Sequence, residues 1–229
     1  MAELLVLWDV DYTLVAADGL GTRFYEVVFR EMFGRELTAV ASKAGRTDRA
    51  IVGDTLALAG VARDQVDPFL DRLARLARAA ADDAVPGAVR PLPGAAAAIA
   101  ALAAAGVRQS VLTGNIGPLA ALKLDRAGLR DHLDLAAGAY GDTHEVRAEL
   151  VTAARAAAAR VYGTDFSGSR TVLIGDTPLD VEAALATGAR VVGVATGSYR
   201  AAELAGAGAE VVLPDLTDTA RLVAAVTGS

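Results

Sequence analysis

An apolar run that begins at Leu4 closes with the stretch Leu7-Trp8-Asp9-Val10-Asp11-Tyr12-Thr13-Leu14. From Leu4 to Trp8 the run has no polar alternation, which is typical of a strand buried on both faces in a parallel sheet covered by helices. Asp9 and Asp11 follow at the carboxyl end of this strand, the edge where open α/β sheets bind ligands. Because side chains alternate with a period of two along a strand, both carboxylates are expected to point the same way. The pair therefore suits a reaction in which one acid attacks and the other moves a proton.

Size and charge restrict the classes of protein to which this chain can belong. Its 229 residues suit one domain of ordinary size with a smaller insert. A composition of 53% hydrophobic and 22% charged residues is typical of a globular protein. The net charge of −6 argues against nucleic acid as a partner, because binding to a phosphate backbone depends on clustered cations. No heptad or apolar stripe indicates an oligomer, so a monomer and a homodimer both stay open.

The compartment is indicated by what the sequence lacks. Without cysteine the chain has no disulfide and no thiolate metal site, which fits a reducing environment. The start Met1-Ala2-Glu3 lacks the basic and apolar segments of a secretory signal. The alanine-rich residues 95–105 fall well short of the ~20 apolar residues that a membrane span needs. We therefore expect a soluble, cytoplasmic protein with no membrane partner.

The order of predicted elements indicates two domains. Helical patterns over residues 19–33 and 39–84 interrupt the sheet after its first strand. Proline and glycine at Val85-Pro86-Gly87 and Arg90-Pro91-Leu92-Pro93-Gly94 end this block, and we expect the hinge there. We predict an α/β core of residues 1–15 and 87–229 and an all-helical insert of residues 16–86.

After residue 94 helices and strands alternate, which predicts right-handed βαβ units and a doubly wound parallel sheet. Helices are predicted at residues 95–105, 118–127, 145–160 and 178–186, with a short one from 200 and a last one from 217. Strands are predicted at residues 107–112, 133–136, 171–174, 190–194 and 210–213.

Polar residues collect at the carboxyl ends of two more predicted strands. Thr113-Gly114-Asn115 leads into a helix, where backbone N–H groups favour an anion such as phosphate. Gly175-Asp176-Thr177-Pro178-Leu179-Asp180 brings two acids around a turn. Together with Asp9 these acids form an oxygen-rich set without a convincing His pair. Such a set favours a hard cation, Mg²⁺ above all, which also relieves the repulsion between neighbouring carboxylates.

The three stretches, in this order on a parallel α/β pattern, resemble the first, second and fourth motifs of the haloacid dehalogenase-like hydrolase superfamily. The helical insert resembles the first type of helical cap in that family, and the resemblance, to phosphoglycolate phosphatase-like members, covers essentially the whole chain. It implies a Mg²⁺-dependent phosphatase that works through an aspartyl-phosphate and acts on a small soluble phosphate ester. Tyr12 occupies a position where glycine is common in the family.

The resemblance also implies a role for each matching residue. Asp9 would be the nucleophile and a metal ligand, and Asp11 would be the general acid and then the general base, with its backbone carbonyl on the metal. Thr113 would hold a phosphoryl oxygen. Asp176 would bind Mg²⁺ directly, and Asp180 directly or through water.

Substrate contacts follow in part from the same comparison. Thr113, Gly114 and Asn115 are expected to line the phosphoryl site. Arg46 lies in Gly45-Arg46-Thr47-Asp48, where the family often places a substrate-selecting loop. There Arg46 would bind an anionic leaving group. A side chain that is only exposed to solvent is an equal alternative.

One position departs from the family pattern. The family places a lysine at the start of the helix before its fourth motif, where it pairs the nucleophile with the phosphoryl group. This chain has Arg147 at that position. Its only lysines are Lys43 and Lys123. We assign the lysine's role to Arg147, whose planar fork differs from a point ammonium. Lys123 is the rival candidate, but its position in mid-helix favours a solvated or snorkelling side chain.

Other functions stay open at this stage. A phosphomutase would share Asp9 and Asp11. A dehalogenase would share the fold but lack the second aspartate and the metal. A non-catalytic binding protein would have kept the fold and lost the activity, and the missing lysine is the feature that supports it. Single residues also have structural alternatives: Asp176 and Asp180 as helix caps, and Arg147 in a surface salt bridge.

Overall fold

The computed structural model describes residues 3–17, 19–80 and 89–228. Its centre is a six-stranded parallel sheet in the order β5-β4-β1-β6-β7-β8. The strands are β1 (Leu5–Trp8), β4 (Arg108–Thr113), β5 (Ala139–Tyr140), β6 (Thr171–Gly175), β7 (Arg190–Val194) and β8 (Val211–Leu213). Two further strands, β2 (Val15–Ala16) and β3 (Arg90–Pro91), form a separate antiparallel pair.

Helices cover both faces of the sheet. The core helices are α4 (Ala95–Ala104), α5 (Gly117–Arg126), α6 (Arg147–Tyr162), α7 (Pro178–Ala186), α8 (Ala201–Gly206) and α9 (Thr219–Thr227). No described helix is long and apolar enough to cross a membrane.

The side chains of β1 point alternately into two hydrophobic cores, one on each face of the sheet. Val6 and Trp8 pack into the cluster beneath α4 and α9, whereas Leu5 and Leu7 pack into the cluster beneath α6 and α7. All four side chains are fully buried. A strand covered on both sides has no exposed face to make polar, which explains the unbroken apolar run. The prediction of a doubly wound α/β core is confirmed.

The insert is helical, as predicted, and covers the carboxyl edge of the sheet. It contains α1 (Leu20–Phe33), α2 (Asp48–Leu58) and α3 (Val66–Ala79), with a 3₁₀ turn at Arg63–Gln65. Its own core also takes in Leu119 and Leu122 of α5 and Ile116, which precedes that helix, so the insert packs directly on the core domain. We call this insert the cap.

The chain passes between core and cap through the β2–β3 pair, which the sequence did not predict. Val15 pairs with Pro91 and Ala16 with Arg90, so both connecting segments lie side by side. Val85-Pro86-Gly87 of the predicted hinge, and the predicted boundary at residue 86, lie outside the described residues. The domain limits stay a prediction.

Two predicted elements were wrong. Residues 133–136 form no strand: Asp134 accepts a hydrogen bond from the Ala136 amide, which starts a 3₁₀ turn at Leu135–Ala137, and the strand follows at Ala139–Tyr140. Residues 39–47 were predicted to be helical but are irregular. The helix begins only at Asp48, because Thr47 caps it by accepting a hydrogen bond from the Ala50 amide.

Candidate active site

All predicted site residues except Asp180 line one cavity between the carboxyl ends of β1, β4 and β6 and the cap. The cavity has a volume of about 340 Å³. Its core side carries the acids, the hydroxyl and the amide predicted from the sequence: Asp9, Asp11, Thr113, Gly114, Asn115, Arg147 and Asp176. Its cap side carries Arg46 together with Thr22, Tyr25, Lys43 and Asp48.

Asp9 lies at the end of β1 and is paired with Arg147. The Arg147 Nη2 atom donates to Asp9 Oδ1 at 2.7 Å and lies 2.6 Å from Asp180 Oδ1. Arg147 is at the first position of α6 and is buried, so the alternative of a surface salt bridge is wrong. The guanidinium therefore joins the ends of β1 and α7 through two buried carboxylates.

Asp180 combines two roles that the sequence presented as alternatives. It forms a capping box with Thr177, whose hydroxyl donates to Asp180 Oδ2 at 2.7 Å at the start of α7. Its other oxygen faces Arg147. Capping thus fixes the carboxylate in the orientation that brings it to the site.

Asp9, Asp176 and Asp180 form a buried acidic cluster. One carboxylate oxygen of each lies within 4.8 Å of the others. Burial, together with repulsion from the neighbouring carboxylates, raises the pKa of Asp9 to about 7 and the pKa of Asp176 to about 9, although Arg147 acts in the opposite direction on both. Three carboxylates against one guanidinium leave an excess of buried negative charge, which the cluster can accommodate by binding protons or a cation.

The cluster fits a hard divalent cation such as Mg²⁺. All its ligands are oxygens. Among the described residues, the one hydrogen bond donated to the Asp176 carboxylate comes from Thr13 Oγ1, at 3.3 Å. Two glycines make the necessary room, since a Cβ at Gly197 would lie 1.9 Å from Asp176 Oδ2 and one at Gly175 would lie 2.3 Å from Asp180 Cγ. The Asp11 backbone carbonyl stays a predicted ligand.

Asp11 turns its carboxylate toward a lysine. Lys123 Nζ donates to Asp11 Oδ1 at 2.7 Å, to Asp11 Oδ2 at 2.6 Å and to Asn115 Oδ1 at 2.6 Å. Asn115 Nδ2 donates to Asp11 Oδ2 and to Thr113 Oγ1. The Lys123 side chain is 4% exposed, so the prediction of a solvated or snorkelling side chain is wrong. Alternation of polar and apolar residues along a helix does not show which side chains a neighbouring domain will bury.

Gly114 and Gly141 permit a close contact between core and cap. The Asp48 amide at the start of α2 donates to the Gly114 carbonyl at 2.6 Å, and the Arg49 amide donates to the Gly141 carbonyl at 2.9 Å. A Cβ at Gly114 would lie 2.0 Å from the Arg46 carbonyl oxygen, and one at Gly141 would lie 1.8 Å from the Gly114 carbonyl oxygen. At Gly114 a side chain is excluded by the docked cap, whereas at Gly141 it is excluded first by the neighbouring core loop at Gly114.

The cap contributes two basic side chains to the cavity, one paired with a carboxylate and one not. Arg46 lines the cavity, but its Nη2 atom lies 2.6 Å from Asp54 Oδ2. Lys43, which the sequence analysis did not select, donates to Thr22 Oγ1 at 2.6 Å and lies 4.7 Å from the centre of the Tyr25 ring. No carboxylate of the described residues lies within 4.0 Å of its ammonium. No signal in the sequence distinguished Lys43, because its loop has no regular pattern.

The backbone conformation at Tyr12 explains why glycine is common at this position in the family. Its φ of 59° lies in the left-handed region that disfavours side chains. The Thr196 hydroxyl donates to the Tyr12 carbonyl and helps to stabilise this turn. The side chain is half exposed at the cavity.

The sequence profile of the haloacid dehalogenase-like hydrolases matches residues 6–185. A comparison with curated protein sequences finds no significant match.

Solved structures share the fold over nearly the whole chain. A predicted phosphatase from Clostridium acetobutylicum is 16% identical, with a TM-score of 0.69 over 97% of this chain and 99% of that one. CbbY from Rhodobacter sphaeroides, in complex with phosphate, is 20% identical, with a TM-score of 0.66 over 95% and 96%. A protein from Bacteroides vulgatus, provisionally described as a beta-phosphoglucomutase, is 16% identical, with a TM-score of 0.66 over 99% and 89%. At these identities the likeness establishes the fold.

Proposed function

The chain belongs to the haloacid dehalogenase-like hydrolase family, and on that premise we propose that it is a Mg²⁺-dependent phosphomonoester hydrolase acting on a small soluble phosphorylated metabolite. The observation that carries this proposal is the pair of aspartates, Asp9 and Asp11, that follow the end of β1. Asp9 faces Arg147 and the acidic cluster, whereas Asp11 faces Lys123 and Asn115. Two acids with separate partners in one cavity suit separate chemical roles.

In the first step, an oxygen of Asp9 attacks the phosphorus atom of the ester and the bond to the leaving oxygen breaks. Asp11 transfers a proton to that oxygen, so the product leaves as an alcohol. Asp9 then carries the phosphoryl group as an acyl phosphate. Arg147, which lies 2.7 Å from Asp9, neutralises negative charge next to the attacking carboxylate.

In the second step, Asp11 takes a proton from a water molecule, and the oxygen of that water attacks the phosphorus atom. The bond to Asp9 breaks and inorganic phosphate is released. Thr113, whose buried hydroxyl accepts a hydrogen bond from Asn115 Nδ2, would donate to a phosphoryl oxygen, and the backbone of Gly114 and Asn115 would line the same subsite. Mg²⁺ held by Asp9, Asp176 and Asp180 would supply further neutralisation of charge on the transferring group.

The size of the cavity supports a small substrate. A volume of about 340 Å³, covered by the cap, suits a metabolite and excludes a folded protein or a nucleic acid duplex. Opening of the cap must admit the substrate, and its closure excludes bulk water during the first step. The identity of the alcohol depends on cap residues such as Arg46 and Lys43.

A phosphomutase is the second candidate, because it would use the same two aspartates and differ only in the acceptor of the phosphoryl group. Dehalogenation is disfavoured by Asp11 and by the acidic cluster, since attack at carbon needs neither. Loss of activity is disfavoured by the intact partners of both aspartates. Product analysis with a sugar phosphate separates transfer within the sugar from hydrolysis.

The test is release of inorganic phosphate from an aryl phosphate and a panel of small phosphate esters, with and without Mg²⁺. We expect Mg²⁺-dependent release by the parent and none by Asp9→Asn, with the fold of the variant checked by circular dichroism. Release by Asp9→Asn at the parent's rate would refute the assignment of the nucleophile. No release from any ester by folded, Mg²⁺-loaded parent would refute the proposed function.

A further inference from the structure

Lys123 lies at the boundary between the two domains and contacts neither Asp9 nor the acidic cluster among the described contacts. On α5, Leu119 and Leu122 pack into the core of the cap, whereas Leu124 packs into the core of the α/β domain. Between these two apolar faces the Lys123 side chain enters the cavity. The backbone that carries it is therefore held on both sides.

All three N–H donors of the Lys123 ammonium have protein acceptors. Two donate to the two oxygens of Asp11 and the third donates to Asn115 Oδ1, each at 2.6–2.7 Å. The Asn115 amide group donates to Asp11 Oδ2 at 2.7 Å and to Thr113 Oγ1 at 2.8 Å. This closed set of bonds leaves no donor of Lys123 for a phosphoryl oxygen.

Asp11 depends on these contacts for its orientation. It follows the end of β1 and precedes Tyr12, whose backbone turns into the left-handed region, so no regular element restricts its side chain. Its side chain is 34% exposed at the cavity, against 4% for Lys123. A partly exposed carboxylate is thus bound to a buried ammonium.

We propose that Lys123, together with Asn115, is a positioning residue that holds the Asp11 carboxylate toward the leaving oxygen of the substrate. The inference rests on the proposed function and deepens it: of the two buried cations, Arg147 serves the nucleophile and Lys123 serves the acid/base residue. Lys123 itself touches no reacting atom. An ammonium suits this place because its three donors converge on acceptors around a point, whereas a planar guanidinium does not match them.

The experiment compares kcat/KM for an alkyl phosphate and for p-nitrophenyl phosphate in the parent and in Lys123→Met. The value of kcat/KM depends only on the steps up to release of the alcohol, so the later hydrolysis of the acyl phosphate does not affect it. An alkoxide needs a proton to leave and p-nitrophenolate does not. We therefore expect kcat/KM to fall by about 100-fold for the alkyl phosphate, the scale of general acid catalysis, and only a few-fold for the aryl phosphate.

The matched control is Lys43→Met, the same change at the other lysine of the cavity. Lys43 contacts Thr22 and not Asp11, so the ratio between the two substrates should stay at the parent's value whatever the change in either rate. An equal fall for both substrates in Lys123→Met would overturn the proposal in favour of a purely structural role. Weaker inhibition by inorganic phosphate would overturn it in favour of direct phosphoryl binding.

Two further measurements keep the proposal testable. If Lys123→Met does not fold, Lys123→Arg keeps the charge but not the three contacts, and the same selective loss is expected for the alkyl phosphate. If the parent hydrolyses neither ester, the proposed function fails. The orientation of Asp11 is then read from crystal structures of the parent and Lys123→Met, and an unchanged Asp11 side chain would overturn the positioning role.

Discussion

Replacement of Arg147 by methionine is expected to destabilise the protein strongly and in a way that depends on pH. The side chain is 6% exposed and bridges Asp9 and Asp180, which are 9% and 2% exposed. Methionine keeps much of the apolar volume but removes the charge. The substitution therefore leaves two buried carboxylates, with Asp176 close by, without the one guanidinium that faces them.

The magnitude follows from the cost of an uncompensated buried charge. Removal of one partner from a buried ion pair costs about 3–5 kcal/mol. For a protein of this length, a loss of that size lowers Tm on the order of 10 °C. The acidic cluster limits the cost by taking up protons, because burial and mutual repulsion already raise the pKa values of Asp9 and Asp176.

The sign of the pH effect follows from these raised pKa values. A carboxyl group whose pKa is higher in the folded state than in the unfolded state binds protons on folding, so folding is favoured as pH falls through the raised value. Loss of Arg147 raises these pKa values further. The difference in unfolding free energy between parent and Arg147→Met should therefore be larger at pH 8 than at pH 5.

The assay is urea unfolding at several pH values, followed by fluorescence of Trp8, the only tryptophan and fully buried. The matched control is Arg155→Met on the same helix. Arg155 donates to Thr171 Oγ1 and to two backbone carbonyls but to no carboxylate of the residues that the structure describes. We expect a smaller loss there that stays constant between pH 5 and 8. If Arg147→Met costs no more than this control, or its cost does not change with pH, the electrostatic account of the site is wrong.

Three other outcomes follow from the same geometry. Mg²⁺ should raise Tm of the parent more at pH 8 than at pH 6, because protons compete with the metal for Asp176, whose pKa is raised to about 9. Calorimetry at the two pH values, with Ca²⁺ and K⁺ as comparison ions, checks this. Gly114→Ala should displace the cap, since the new Cβ would lie 2.0 Å from the Arg46 carbonyl oxygen of the cap; faster hydrogen exchange at the Asp48 amide, without global unfolding, would show it. Lys43→Met should raise KM more for substrates with a second anionic group than for those without one, and an equal change would exclude Lys43 from substrate selection.

Local patterns in the sequence predicted most of the core. The prediction for residues 178–186 and 190–194 coincides with α7 and β7, because proline opens the helix and an apolar run marks the buried strand. The failures share one cause. Residues 133–136 and 39–47 carry weak or ambiguous periodicity, and there a single hydrogen bond, donated by a backbone amide to the side chain of Asp134 or Thr47, decides the backbone.

The candidate site divides in the same way. The sequence by itself determined the types of chemical group at the strand ends, because strand direction and a parallel sheet place those ends at one edge. The family resemblance already assigned Arg147 to the nucleophile, but only the tertiary structure showed that Lys123 binds Asp11. Asp9 and Arg147 are 138 positions apart and Asp11 and Lys123 are 112 apart. No local pattern links such residues; they meet because α5 and α6 pack against the sheet and the cap closes over them.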